Sequence, residues 1–292
     1  MALSVRCAAK INLYLDIIGP REDGYHEIET LYQPVSLWDE LTFTVIDRGV
    51  EIYGSGGSVP LNEENLCVRA ARALFRSVGL RGGVRIGICK EIPVGAGLGG
   101  GSSDAAATLI GLNELFGLCL SRAKLLELAL GVGSDVPFFV LGKPAIGRGR
   151  GEILEEAAGL PGGWILIVKP DVTISTKWAY ETVKLILTRN DHKYKLVKLI
   201  EGLEDFPDTK LYTHNSFEGI AVRNYPEIGE VLTVLSRSGA ILSALSGSGS
   251  SCFAVFSEEN EAKGVETGFI SKGFFTRIAR PVNKAIELIR QV

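Results

Sequence analysis

The chain has 292 residues, 46% hydrophobic and 22% charged, which suits a folded protein of two modest domains or one large one with a sizeable core. A net charge of −3 excludes a broad basic footprint, so neither nucleic acid nor a membrane surface is an expected partner. Five scattered cysteines without C-x-x-C and only three histidines exclude a disulfide framework and a histidine-built metal centre, leaving reduced thiols in a cytoplasmic protein.

The opening Leu3-Ser4-Val5-Arg6-Cys7 lacks a charged stretch leading into an apolar one, so no signal peptide is expected. From Lys10 to Ile17 the residues alternate, with Ile11, Leu13, Leu15 and Ile17 on one face and Lys10, Asn12, Tyr14 and Asp16 on the other. A period of two predicts a half-buried strand, with Lys10 and Asn12 side by side away from the apolar layer. Gly19-Pro20-Arg21-Glu22-Asp23-Gly24 reads as a turn. Further strands are expected over 41–45 and 84–89. A glycine-rich segment follows, then a helix from Ser102/Ser103 to about Leu115, and a second capped by Ser121 and ending near Gly131. Asp135, just ahead of Pro137, marks another helix entrance.

Glycine and proline between Gly159 and Gly163 mark a domain boundary, dividing the chain into 1–158 and 159–292. Beyond it come a buried strand at 164–168, helices at 176–187 and 226–237, strands at 241–245 and 252–256, a helix near Glu261, and a strand at 275–279. The longest uncharged run, Ala240 to Ser257, is broken by serine and glycine, which excludes a membrane span there. An α+β chain in two halves results.

Pro93-Val94-Gly95-Ala96-Gly97-Leu98-Gly99-Gly100-Gly101-Ser102-Ser103 carries the chemistry. Glycines let successive backbone N–H groups converge on one anion, and the helix start adds its free donors and positive dipole end. That is a polyphosphate cradle. No Gly-Lys-Ser/Thr follows, which rules out a Walker A loop. Residues 95–100 do satisfy G-x-G-x-x-G, but the strand before them alternates and the acidic residue expected ~20 residues on is missing, so a dinucleotide oxidoreductase is a weak alternative. H-R-D and D-F-G elements of protein kinases are absent. A flexible linker is a poor account of a loop set between a periodic strand and a capped helix.

The string P-V-G-A-G-L-G-G-G-S-S-D-A-A-A resembles the ATP-binding motif of the GHMP kinases, which include galactokinase and homoserine, mevalonate and phosphomevalonate kinases. Ala9-Lys10-Ile11-Asn12-Leu13 resembles the family's N-terminal motif, and Leu245-Ser246-Gly247-Ser248-Gly249-Ser250-Ser251 its C-terminal glycine motif. Asp23-Gly24-Tyr25-His26-Glu27 and Gly133-Ser134-Asp135-Val136-Pro137 are similar to the substrate loop and catalytic segment of the branch that phosphorylates the tertiary 2-hydroxyl of a cytidine-diphosphate-linked methylerythritol, in the non-mevalonate route to isoprenoids. Three positions depart from that pattern: Ala8, Pro20 and Ser216.

The resemblance implies a two-domain fold, with an N-terminal domain like ribosomal protein S5 domain 2 and a ferredoxin-like C-terminal domain around the active site. It implies ATP as donor, magnesium arriving with it, and a monomer or weak homodimer. Asp135 is implied as general base, against a plain capping aspartate, and Lys10 as its charged partner, against a solvated strand lysine. Asn12 is implied to bond substrate. Tyr25 and His26 would hold the cytosine, with Tyr180 closing the sandwich and Thr176 one turn earlier; a core role for Tyr180 stays open. Asn65 and Leu66 resemble the segment beside adenine, and a capping or core role suits them equally. No residue stands out as a magnesium ligand, although Ser102, Ser103 and Asp104 are candidates. A kinase for another alcohol and a non-catalytic nucleotide-binding homologue are the remaining alternatives.

Overall fold

In the computed structural model, which describes residues 2–55, 59–183 and 193–289, the chain opens with a hairpin far longer than the sequence predicted. Its arms, β1 (Ala2–Pro20) and β2 (His26–Ile46), pair antiparallel from Ala2↔Thr44 to Pro20↔His26, with bulges between Ala8/Ala9, Asn12/Tyr14 and Ile17/Gly19. The turn between them carries Gly24 at φ +84°, a left-handed conformation that glycine adopts at little cost. Then come β3 (Gly49–Ser55), α1 (Leu66–Val78), β4 (Gly83–Cys89), α2 (Gly100–Leu115), α3 (Arg122–Val132), α4 (Val136–Leu141), β5 (Ala145–Arg148) and β6 (Ile153–Glu156). Helix α1 was not foreseen. Its signal is Asn65, whose side chain accepts from Cys67 N and caps the helix.

The second half holds β7 (Trp164–Lys169), α5 (Thr176–Val183), α6 (Lys193–Gly202), α7 (Glu218–Asn224), α8 (Pro226–Arg237), β8 (Leu242–Leu245), β9 (Cys252–Phe256), α9 (Glu259–Ile270), β10 (Phe275–Ala279) and β11 (Ile286–Ile289). The helix predicted over 176–187 is seen to Val183; its remaining residues lie outside those described. Strands β10-β7-β9-β8 form an antiparallel sheet, the ferredoxin-like order. No helix among the described residues is long and apolar enough to cross a membrane.

The other sheet runs β11-β1-β2-β4-β3, with β5 attached to β2 and β6 to β5. Strand β1 is not half-buried. Lys10, Asn12, Tyr14 and Asp16 are as covered as the apolar face, none more than 4% exposed. Apart from Tyr14, which a bulge returns to the apolar core, the alternation separates an apolar core from a polar interior, where the sequence alone suggested core and solvent. The apolar side meets the second sheet directly: Ile11 and Leu13 share one core with Ile165, Ile167, Phe253 and Val255. Helices α8 and α9 cover that sheet's opposite face through Ile228, Val231, Leu235, Ala262 and Phe269.

The outer edge of β1 is covered piecemeal. Residues 4–7 pair with β11, Ala8 N donates to Ala285 O and Lys10 N to Leu98 O. Further along, Leu15 N donates to His214 O, Ser216 N to Leu15 O and Ile17 N to Ser216 Oγ. Gln33, fully buried, holds both places where the chain passes between the sheets. Its Oε1 accepts from Leu160 N at 2.9 Å, and its Nε2 donates to Pro34 O at 2.9 Å and Val282 O at 3.1 Å. Gln33→Leu leaves Leu160 N and Val282 O buried without these bonds, and should lower the unfolding free energy in urea by about 2–4 kcal/mol.

Candidate active site

Beyond β4 the chain enters the glycine segment, and α2 begins inside it. The helix starts at Gly100 with Gly99 as its cap at φ +71°, two residues ahead of the predicted Ser102/Ser103. The reason is steric. A Cβ at Gly100 would crowd Lys90 Nζ and Ile92, and one at Gly97, itself at φ +77°, would overlap the Ser246 carbonyl. Side chains would have pushed the helix start downstream; glycine lets it begin against its neighbours. Residues 93–97 and 99–102 border a cleft of about 560 Å³. Leu98 and Ser103 turn inward instead: Leu98 is buried, and the Ser103 hydroxyl donates to Ala8 O at 2.6 Å.

Lys10 and Asn12 stand together as predicted. Lys10 Nζ donates to Asn12 Oδ1 at 2.5 Å and to Gly97 O at 2.8 Å. Asn12 Nδ2 donates in turn to Thr30 Oγ1 at 2.8 Å, so this amide is occupied in aiming the lysine. Burial pushes the Lys10 ammonium below its ordinary pKa, and the charge of Asp135 opposes that fall. Asp135 precedes α4, with Pro137 in the first turn, but its side chain makes no capping bond. Its carboxylate borders the cleft with Lys10, Asn12 and Tyr32.

The second glycine turn completes this wall. Ser246 Oγ donates to Gly97 O at 2.9 Å, Ser251 N donates to Ala96 O, and Asn215 Nδ2 donates to Leu245 O and Gly247 O at 2.8 and 2.9 Å. Ser248 and Thr176 share a hydroxyl contact of 3.2 Å, which ties the turn to the start of α5.

At the other end, Tyr180 and Thr176 border the cleft with Phe217 and Arg150. His26 is buried with its ring 5.3 Å from that of Tyr180, tilted by 32°. Tyr25 stands 55% exposed on the turn, beneath the Arg150 guanidinium at 4.6 Å. Of the three predicted aromatics Tyr180 borders the cleft and His26 packs on its ring, while Tyr25 stands on the turn against Arg150 and does not line the cleft. Asn65 and Leu66 border it near the glycine segment, although the Asn65 amide is taken up by Cys67 N and Pro60 O.

Sequence reasoning missed Lys90. Its ammonium lies between Asp39 and Asp104, bonding the first closely and the second at 2.7 Å. Asp39 also accepts from Glu91 N and Ile92 N at 2.7 and 2.8 Å, and Cys7 Sγ lies 3.3 Å from Asp104 Oδ1. One cation serves two buried carboxylates. Burial opposes the Lys90 charge, but Asp104 and Asp39 together hold it above its ordinary value. Asp104 is the group that yields: burial raises its carboxyl to about 7 against the pull of Lys90. A basic residue directly ahead of a glycine loop was the available signal. Its acidic partners lie 51 and 14 residues away in sequence, beyond any local pattern.

Residues 65–143 match the GHMP kinases N terminal domain and residues 199–273 the GHMP kinases C terminal. The chain is 40% identical over 277 residues, 94% of its length and 97% of the other's, to the 4-diphosphocytidyl-2-C-methyl-D-erythritol kinase of Syntrophotalea carbinolica. A crystal structure of 4-(cytidine 5'-diphospho)-2C-methyl-D-erythritol kinase is similar at 35% identity and a TM-score of 0.82, covering 96% of this chain and 99% of that one. The homoserine kinase of Cytophaga hutchinsonii, at 21% identity and a TM-score of 0.76 over 99% and 97% of the two chains, shares the fold.

The Asp104 carboxyl sets a pH dependence. Its folded value lies above the unfolded one, so its contribution to stability is full below about pH 4 and is lost as pH rises through about 7. Asp104→Asn removes that loss. The melting temperature of the variant relative to wild type should climb between pH 4 and 7 and then level off, as read by calorimetry across that range. A difference independent of pH would contradict the assignment.

Proposed function

The chain belongs to the 4-diphosphocytidyl-2-C-methyl-D-erythritol kinase family of GHMP kinases, and we propose that it transfers the γ-phosphoryl group of ATP to the 2-hydroxyl of 4-diphosphocytidyl-2-C-methyl-D-erythritol, yielding ADP and the 2-phosphate. One observation carries this reading. A single cleft is lined by the glycine cradle, by Lys10 and Asp135, and by Tyr180, whose ring packs on the buried His26. Phosphoryl transfer needs little more than positioning, charge neutralisation and an acceptor for one proton.

The triphosphate lies on the backbone N–H groups of the glycine segment and the start of α2, with adenine toward Asn65 and Leu66. Asp135 accepts the proton of the 2-hydroxyl as its oxygen bonds to the γ-phosphorus, and the bond to the ADP oxygen breaks. Lys10, aimed by Asn12 and Gly97, offsets the negative charge gathered there. Cytosine occupies the aromatic end, against Tyr25, His26 and Tyr180, with Thr176 beside it. Magnesium enters with ATP and, when bound, screens the phosphate charge. Among the three candidates Ser102 would face it, because Ser103 bonds Ala8 and the Asp104 carboxylate is held by Lys90 and Cys7.

The work is divided between units 1–158 and 159–292, with β11 returned to the first sheet. The reading extends to a cytoplasmic enzyme, monomeric or weakly dimeric; its five free thiols support a reducing compartment. ADP release should be observed with the cytidine-diphosphate substrate and not with homoserine or mevalonate, and turnover on either of the latter would overturn the substrate assignment. Asp135→Asn should lower kcat by about a thousandfold or more, in the range expected for losing a proton acceptor on a positioned nucleophile.

A further inference from the structure

Among the described residues the cleft is bordered by three cations, Lys10, Lys90 and Arg150, and only the arginine has its donors unspent. Lys10 bonds Asn12 and Gly97, and Lys90 is sealed between Asp39 and Asp104. The Arg150 guanidinium lies 4.6 Å from the centre of the Tyr25 ring, and its ion pair with Glu152 is loose, at 3.6 Å from Nε. That separation is too long for a hydrogen bond. A guanidinium carries five N–H donors in one plane, so resting its face on a ring leaves the donor edge available.

The loop that carries Arg150 is fixed on both sides. It turns between β5 and β6 through Gly149 at φ +72° and Gly151 at φ +100°, conformations open to glycine. Two bonds lock it to the end of the β1–β2 turn: Gly149 N donates to Glu27 Oε1 at 3.0 Å, and Ile28 N donates to Gly149 O at 2.8 Å. Glu27 accepts in turn from Arg21 at 2.7 Å. On the other side, a Cβ at Gly151 would overlap the Tyr32 hydroxyl, and the Tyr32 ring lies 5.8 Å from Lys10 Nζ. Arg150 is thus bracketed by Tyr25 on one side and, through Gly151 and Tyr32, by the Lys10 wall on the other.

In the reaction read above, the acceptor carries a diphosphate between its cytosine and its alcohol. The glycine segment is taken by the triphosphate of ATP, so that second anion needs a cation of its own. We propose that Arg150 binds the diphosphate of the acceptor, presenting its N–H edge to the phosphate oxygens while its face rests on Tyr25, and so selects a nucleoside-diphosphate-linked alcohol over a free one. A planar fork matches a phosphate with two parallel bonds, and the loose contact with Glu152 is exchanged for them when the ligand enters. The proposal rests on the kinase reading.

The test compares CDP with cytidine as ligands, by titration calorimetry, with the glycine cradle filled by a non-hydrolysable ATP analogue. The wild-type chain should bind CDP more tightly than cytidine. Arg150→Gln should weaken CDP by about tenfold or more, the scale of a hydrogen bond between charged groups, and leave cytidine within about twofold. KM for the cytidine-diphosphate substrate should rise by the same factor, and the melting temperature should not move, because the side chain is partly exposed. A variant that keeps the wild-type preference for CDP overturns the proposal. An equal loss for both ligands also overturns it, since that would mark a support for the aromatic end and no contact with the diphosphate. A wild-type chain that binds neither ligand overturns the substrate reading, and the proposal with it, so the two failures are told apart.

Discussion

One carbonyl oxygen holds the site together. Gly97 O accepts from Lys10 Nζ and from Ser246 Oγ, at 2.8 and 2.9 Å, and so joins strand β1, the glycine segment and the turn between β8 and β9. An ammonium has three donors, and Lys10 gives one to Gly97 and one to Asn12, which leaves one for chemistry. Because the oxygen belongs to a residue at φ +77° packed on the Ser246 carbonyl, it cannot shift without moving the neighbouring turn. The loop that cradles phosphate and the side chain that neutralises it are therefore positioned by the same atom.

That arrangement is rigid because the two sheets share a core. Ile11 and Leu13 of β1 point into the apolar layer against β7 and β9, while Lys10 and Asn12 on the opposite side face the cleft. A one-residue slip of β1 would exchange these sets. The bulge between Asn12 and Tyr14 shows how the strand handles the constraint: it keeps Asn12 on the polar side and still returns Tyr14 to the apolar core.

Local signals carried most of the architecture. The alternation over 10–17 was enough to place Lys10 beside Asn12, and Ser121, Pro137 and Pro226 marked helix starts that the structure has. What failed locally failed for reasons of tertiary context. Burial of the polar face of β1 depends on residues 213–216 and the glycine turns covering it, and no strand pattern encodes a roof. The early start of α2 depends on how closely Lys90 and Ser246 approach the glycines. Helix α1 escaped because Asn65 reads equally as a neighbour of adenine, a cap or a core residue, and its capping role shows only in the structure. Lys90 was illegible because its partners, Asp39 and Asp104, come from other elements. Acid and base residues with names were found by resemblance; the groups that aim them had to be seen in space.

The piecemeal edge of β1 bears on how the molecule is made. Residues 4–7 emerge from the ribosome long before their partners on β11. At ~5–20 residues per second the gap between them is on the order of tens of seconds. Through that interval the outer edge of β1 at residues 4–7 stays unpaired, a ready template for pairing with another chain. Leu98 shields one position early and residues 214–216 shield more later, so the exposed length shrinks in steps as synthesis proceeds. Emergence of β11, which covers residues 4–7, is then a folding event in its own right.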